Sequence, residues 1–258
     1  MIIAIDGPAG SGKSTIAKLV ALELGFEYLD TGAMYRMVTL RLVNKKISLE
    51  DIRTIEKELK NMKIDILNNR FFLNNVDVTD EIRTPIVSEN VSKVAKIKEI
   101  RYKMVELQRE ISKSKNTILD GRDIGTVVFP NAEIKIYLIA DEVERAKRRY
   151  SELKNNSEIS FEDVLKNIIE RDRIDSTRVE SPLKKAEDAI EIDTTGNTIE
   201  EKKEKILLVI EEYKNKKFQS TFTLGENNFE NTNLALDVNV ERMKDQHKPI
   251  CGCLGELF

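Results

Sequence analysis

MIIAIDGPAGSGKST, residues 1–15, decides how this chain folds. Ile2, Ile3, Ala4 and Ile5 form a short apolar run that reads as a buried strand. Gly7, Pro8, Ala9, Gly10, Ser11, Gly12, Lys13 and Ser14 then fill the phosphate-loop pattern G-x-x-x-x-G-K-[ST], with Thr15 behind them. Ile16, Ala17, Leu19, Val20, Leu22 and Leu24 follow at helical spacing. Strand, glycine-rich turn and helix is the context in which such a loop grips a polyphosphate. The glycines let backbone N–H groups crowd round an anion without Cβ clashes. The helix start adds free N–H groups and a positive field. Lys13 can reach β- and γ-phosphates, and the Ser14 hydroxyl is placed for Mg²⁺.

The 258 residues fit one α/β domain, or a core with a small insert. A net charge of -3 gives no bulk attraction to nucleic acid or anionic lipid. The charged fraction, 34%, exceeds the usual quarter and is expected on solvated helix faces. The two cysteines, Cys251 and Cys253, sit together near the end, so no disulfide framework is present and a cytoplasmic protein is expected. The first apolar run is too short for a signal peptide and Asp6 interrupts it. No stretch reaches the length of a membrane span.

Outward from the loop, helix one is expected to end near Gly25, and Phe26 to Leu29 read as a second strand. It runs into Asp30-Thr31-Gly32 and a helix over Ala33 to Leu42. Ligands of open parallel sheets bind beyond the carboxyl ends of strands, which makes Asp30, Thr31, Tyr35 and Arg36 candidates for a second substrate. Asp30 as a helix cap and Arg36 as a solvated charge read equally well. From about 45 to 83 the character changes: a charged helix from Leu49 to Lys60, then strands 63–67 and 70–73 around a turn at Asn68-Asn69. This predicts a small antiparallel insert packed on the main sheet. Pro85 suits a first helical turn, and helical spacing continues through Val91, Val94, Ile97, Ile100, Met104 and Leu107. On pattern alone Ser92, Arg101 and Arg109 are ordinary surface residues.

Thr117 to Asp120 reads as a third core strand, entering Gly121-Arg122-Asp123-Ile124-Gly125. Asp120 could hold a Mg²⁺-bound water or a helix start. Ile134 to Ile139 is a fourth strand, and a helix rich in Arg and Lys follows, containing Arg145, Lys147, Arg148 and Arg149. A polar break at 154–160 precedes a helix from Phe161 that reaches Arg171, Asp175 and Arg178, spaced to share one face. Arginine's rigid fork suits phosphate. These segments read as a lid that excludes water from a phosphoryl transfer. Ala189 to Asp193 is a fifth strand; Thr198, with Glu201 as capping-box partner, starts a last helix to about Tyr213. Residues 218–258 are expected as a poorly ordered appendage. His247, Cys251 and Cys253 are too few and too crowded to specify a metal site.

GPAGSGKST (7–15), LDTGAMYR (29–36), EIRT (81–84), LDGRDIGTVVFP (119–130), RDRIDSTR (171–178) and PLKKAEDAIEIDTT (182–195) together resemble the bacterial cytidylate kinases over residues 1–217. The resemblance implies a P-loop three-layer α/β/α fold with a five-stranded parallel sheet. It also implies an NMP-binding insert at about 39–100 and a short lid at about 148–170. It implies transfer of the ATP γ-phosphoryl group to CMP or dCMP by a cytoplasmic monomer. ATP would be held by residues 7–15 and Arg148, with Lys13, Arg122 and Arg171 catalytic. Arg36 and Arg122 would contact the monophosphate. Ser92, Arg101 and Asp123 would line the cytosine site, Thr31 and Tyr35 the same pocket, and Asp175 and Arg178 the pentose. Mg²⁺ would accompany ATP at Ser14, with Asp30 or Asp120 reaching it through water.

Cytosine presents an amine, a ring acceptor and a carbonyl, which Asp123, Ser92 and Arg101 can match. A carboxylate facing the uracil carbonyl would be repulsive or unpaired. Another small-molecule kinase, for UMP, AMP or shikimate, shares the loop and differs only in the acceptor pocket. A GTPase is disfavoured because Asn215-Lys216-Lys217 lacks the Asp of a guanine motif. A nucleic-acid module is disfavoured by net acidity and the lack of an aromatic-interleaved basic stripe.

Overall fold

The fold is that of a computed structural model, which describes residues 1–67, 69–153 and 159–229. The order is β1 (Ile2–Asp6), α1 (Lys13–Leu24), β2 (Glu27–Asp30), α2 (Thr31–Asn44), α3 (Ile52–Lys60), β3 (Ile64–Leu67), β4 (Arg70–Leu73), β5 (Val76–Asp77), α4 (Pro85–Val94), α5 (Lys98–Ile111), β6 (Thr117–Gly121), β7 (Ile134–Ile139), α6 (Glu142–Leu153), α7 (Phe161–Thr177), β8 (Ile190–Asp193) and α8 (Ile199–Phe229). The chain divides into two units, Met1–Tyr213 and Lys214–Phe258. Asn68 of the expected hairpin turn, 154–158 of the expected lid, and His247, Cys251 and Cys253 of the tail lie outside the described residues.

Five strands form one wholly parallel sheet in the order β2-β6-β1-β7-β8. Strand side chains alternate between faces, and here each face has its own core. Ile3, Ile5, Ile118, Ile136, Leu138 and Ile192 meet Ile16, Ala17 and Val20 of α1 and Ile206 and Ile210 of α8. Ala4, Leu29 and Leu119 point the other way, onto Met34, Met37 and Val38 of α2 and Ile100 and Met104 of α5. Helices thus cover both faces of a buried parallel sheet, giving three layers. Each fully buried Ile or Leu here stabilises the fold by about 1.5–3 kcal/mol.

The insert is a three-stranded antiparallel sheet, β3-β4-β5. Asn69, Asn74 and Asn75 take the left-handed backbone its tight turns need. Its apolar side chains Phe71 and Leu73 join the core that α2 builds, so it is anchored on the helical layer of that face. Helix boundaries follow local chemistry. Gly25, with φ 65°, closes α1, and Asp30 and Ser160 cap α2 and α7 by accepting from Ala33 N and Asp163 N. Thr198 and Glu201 exchange the two bonds of a capping box at α8.

Two expectations from helical spacing are corrected. The run from Val91 to Leu107 is two helices, because Ile97 turns extended between α4 and α5. The last helix continues past Tyr213 to Phe229. Among the described residues no helix is long and apolar enough to cross a membrane.

Candidate active site

The loop between β1 and α1 is shaped by backbone that only glycine tolerates. Gly7 has φ 150°, and a Cβ there would stand 2.1 Å from the Leu138 carbonyl oxygen of β7. Gly12, with φ 89°, turns the chain into α1. Lys13 Nζ donates to Pro8 O at 2.6 Å and to Ser11 Oγ at 3.2 Å, so the loop closes round its own ammonium. Burial, and next the nearby Arg122 cation, pull that ammonium well below its ordinary pKa. An anion beside it would reverse the penalty.

Next to the loop, Asp120 is the next-to-last residue of β6. It accepts from Ser14 Oγ at 2.6 Å and from Tyr28 OH at 3.0 Å, while its carbonyl accepts from Thr31 Oγ1 at 2.6 Å. Burial, then the neighbouring Asp30 charge, lifts its carboxyl to about 6. Asp30 itself caps α2, its Oδ1 accepting from Ala33 N at 2.8 Å, while its Oδ2 lies 3.9 Å from Arg83. Asp120 starts no helix; its carboxylate faces the Ser14 hydroxyl.

Across the strand ends from the loop lies a narrow cavity of about 70 Å³. Thr31, Tyr35, Arg36, Ser92, Arg101, Arg122, Asp123, Asp175 and Arg178 all line it, with Arg171. The whole acceptor set expected from the sequence is therefore in one place. The pattern-based assignment of Ser92 and Arg101 to the surface is wrong: both are buried, Arg101 to 2% exposure. The break between α4 and α5 explains this. It leaves the Ala95 carbonyl free to accept from Arg101 Nη1 at 3.2 Å, while Nη2 donates to Asp123 Oδ2. The guanidinium also stacks over the Tyr35 ring, 5.2 Å from its centroid.

Arg122 Nε donates to Asp175 Oδ2 at 3.0 Å. Arg178 stands just beyond α7, in extended backbone, yet still reaches Asp123 at 3.6 Å and Asp175 at 3.8 Å. Arg36 donates to Ser88 Oγ at 2.9 Å and Ile82 O at 3.3 Å. Burial and then the Arg171 cation depress Arg36; burial and then Arg122 depress Arg171. Arg171 Nε is buried without an acceptor among the described residues. Five arginines thus face two aspartates, an excess of positive charge. The free space is below the few hundred Å³ of a filled ligand pocket, because the arginines point their donors at Asp123, Asp175 and the walls.

The arginine-rich helices support the donor side. Asp172 of α7 accepts from Ala9 N at 2.9 Å and from Arg145, which donates to Ala9 O at 2.8 Å. Arg148 stays outside the acceptor cavity and donates to Thr194 O at 2.9 Å; the Thr194 hydroxyl donates to Ser11 O at 3.2 Å. Asp6, Tyr28 and Asp172 were not among the expected site residues, and of the three only Asp6 carries a visible signal, a carboxylate ending an otherwise apolar strand. Arg145 was expected only as part of the basic lid helix.

A phosphate loop on the central strand of a three-layer parallel α/β sandwich, with an insert and a helical pair flanking the strand ends, defines the P-loop kinase architecture. The family model described as cytidylate kinase matches residues 3–212. A cytidylate kinase of Fusobacterium nucleatum subsp. nucleatum is 60% identical over 202 residues, covering 78% of this chain and 93% of its own length. Those of Carboxydothermus hydrogenoformans and Bacillus subtilis are 51% and 45% identical, each over 215 residues and 81% of this chain, covering 97% and 96% of their own lengths. This chain belongs to the cytidylate kinase family, within the P-loop nucleoside monophosphate kinases.

Proposed function

We propose that the chain moves the γ-phosphoryl group of ATP to CMP and dCMP, giving ADP and CDP or dCDP. The buried Arg101–Asp123 pair beside Ser92 is the observation that carries this reading. Opened by a base, it offers a carboxylate to the cytosine amine and donors to the ring nitrogen and carbonyl. Uracil would set its carbonyl against that carboxylate. Arg36, Arg122 and Arg171 gather the acceptor phosphate, whose negative charge relieves the crowding of cations there. Lys13 trades Pro8 O and Ser11 Oγ for phosphate oxygens of ATP. The acceptor is already an anion near neutral pH, so no general base is needed; catalysis consists of alignment, charge neutralisation and exclusion of water.

Ser14 Oγ and the Asp120 carboxylate form an all-oxygen pair, the donor type that Mg²⁺ takes. Ser14 would hold the ion directly and Asp120 through water, since the Asp120 carboxylate already faces the Ser14 hydroxyl. Bound with ATP, the ion supplies neutralisation at the β and γ oxygens. We read the chain as a monomer with nucleotides as its only partners.

The test is ADP formation from ATP and Mg²⁺ with CMP, dCMP, UMP, AMP and shikimate supplied separately. CMP and dCMP should be the best acceptors. A strong preference for AMP or shikimate overturns the assignment.

A further inference from the structure

The main-chain ladder between β1 and β6 ends at the pair Asp6 and Gly121. Only Arg122 and Asp123 separate Gly121 from Ile124, where a single π-helical turn, Ile124–Val128, begins. The first N–H groups of such a turn have no partner within it. Asp123 occupies the cap position, and an Asp there ordinarily turns its carboxylate onto those N–H groups. Here it makes no such bond. Asp6 makes it instead: Oδ1 accepts from Ile124 N at 2.9 Å and Oδ2 from Gly125 N at 2.8 Å. The carboxylate is buried, 118 residues distant in sequence, and directly precedes the phosphate loop.

We propose that Asp6 is a positioning residue for the acceptor site: by capping the turn from outside, it frees the Asp123 carboxylate to face Arg101 and the base. Arg122 and Asp123 then form a two-residue span pinned at both ends, by the ladder at Gly121 and by Asp6 at Ile124 and Gly125. Asp6 belongs to the strand that feeds Gly7, so the same side chain holds the two nucleotide halves in register. Without it, Asp123 has open N–H groups within reach and turns back to cap them. This rests on the reading of Asp123 as the base-facing carboxylate.

The test compares the full chain with its Asp6→Asn variant. An amide of the same shape can accept only one of the two N–H bonds. Measured at about pH 8, where the Asp6 carboxyl is ionised, KM for CMP should rise about ten-fold, KM for ATP should stay within about two-fold, and the preference for CMP over UMP should narrow. Equal rises in both KM values, or an unchanged CMP preference, overturn the proposal. If the variant does not fold, amide hydrogen exchange on the unaltered protein decides. Ile124 and Gly125 should be protected before any nucleotide is added, and exchange at open-loop rates overturns the clamp. Failure of the unaltered protein to prefer CMP would instead refute the substrate assignment, while the exchange measurement still judges the clamp.

Discussion

Asp123 is buried against the guanidinium of Arg101, with Arg178 close by. Asp123→Ala strands a buried cation, which costs about 3–5 kcal/mol, and removes the acceptor for the base. Chemical unfolding should show that loss, and KM for CMP should rise far more than KM for ATP; parallel changes contradict the assignment. Asp6 predicts a pH signature. Burial raises its carboxyl from 3.8 to about 7, with the Gly125 and Ile124 N–H bonds and Lys13 pulling it back and Asp123 pushing it up. The folded chain therefore keeps a proton that the unfolded chain has released. Stability from this group falls as pH rises from about 4 to about 7 and is level above that. The unfolding free energy of wild type minus that of Asp6→Asn should trace this slope, to at most about 4 kcal/mol. A flat difference contradicts it.

At the scale of elements, β6 and α2 meet the metal question. If Asp30 only caps α2, Asp30→Ala lowers stability by about 1 kcal/mol and leaves the Mg²⁺ dependence of the rate unchanged, whereas Asp120→Asn shifts it. An equal shift for both returns Asp30 to the ion. Gly7→Ala drives a Cβ into the Leu138 carbonyl, backbone that cannot give way, and should yield no soluble folded protein. The phosphate loop, all five parallel strands and the insert were legible because each rests on local pattern: apolar runs, Gly at tight turns, Asn pairs. The break at Ile97 was hidden because Val94, Ile97 and Ile100 keep helical spacing across it. The π-turn was hidden because its stabilising partner is Asp6, far away in sequence. For the same reason the resemblance, rather than the pattern, identified Ser92 and Arg101; their burial depends on where one helix stops.

Across the whole molecule, the cavity's surplus of arginine should make the unliganded protein sensitive to anions. Inorganic phosphate should raise the melting temperature, since saturation to about 100 times Kd adds about 2.7 kcal/mol. Arg122→Ala should blunt the rise, and indifference to phosphate contradicts the charge reading. Residues 1–217 alone should keep full activity with CMP, because the family match ends at 212 and the first unit at Tyr213; loss of activity gives the remainder a role. The strand order has a further consequence, for the ribosome. β1 is made well before its partners β6 and β7, whose first residues are Thr117 and Ile134. At about 5–20 residues per second, the opening strand waits roughly 6–20 s with both edges bare. The insert, closed by local hairpins, can form meanwhile. A nascent chain cut before Gly121 has its phosphate loop in sequence but no sheet to hold it, so nucleotide binding should arise abruptly as the second half of the chain emerges.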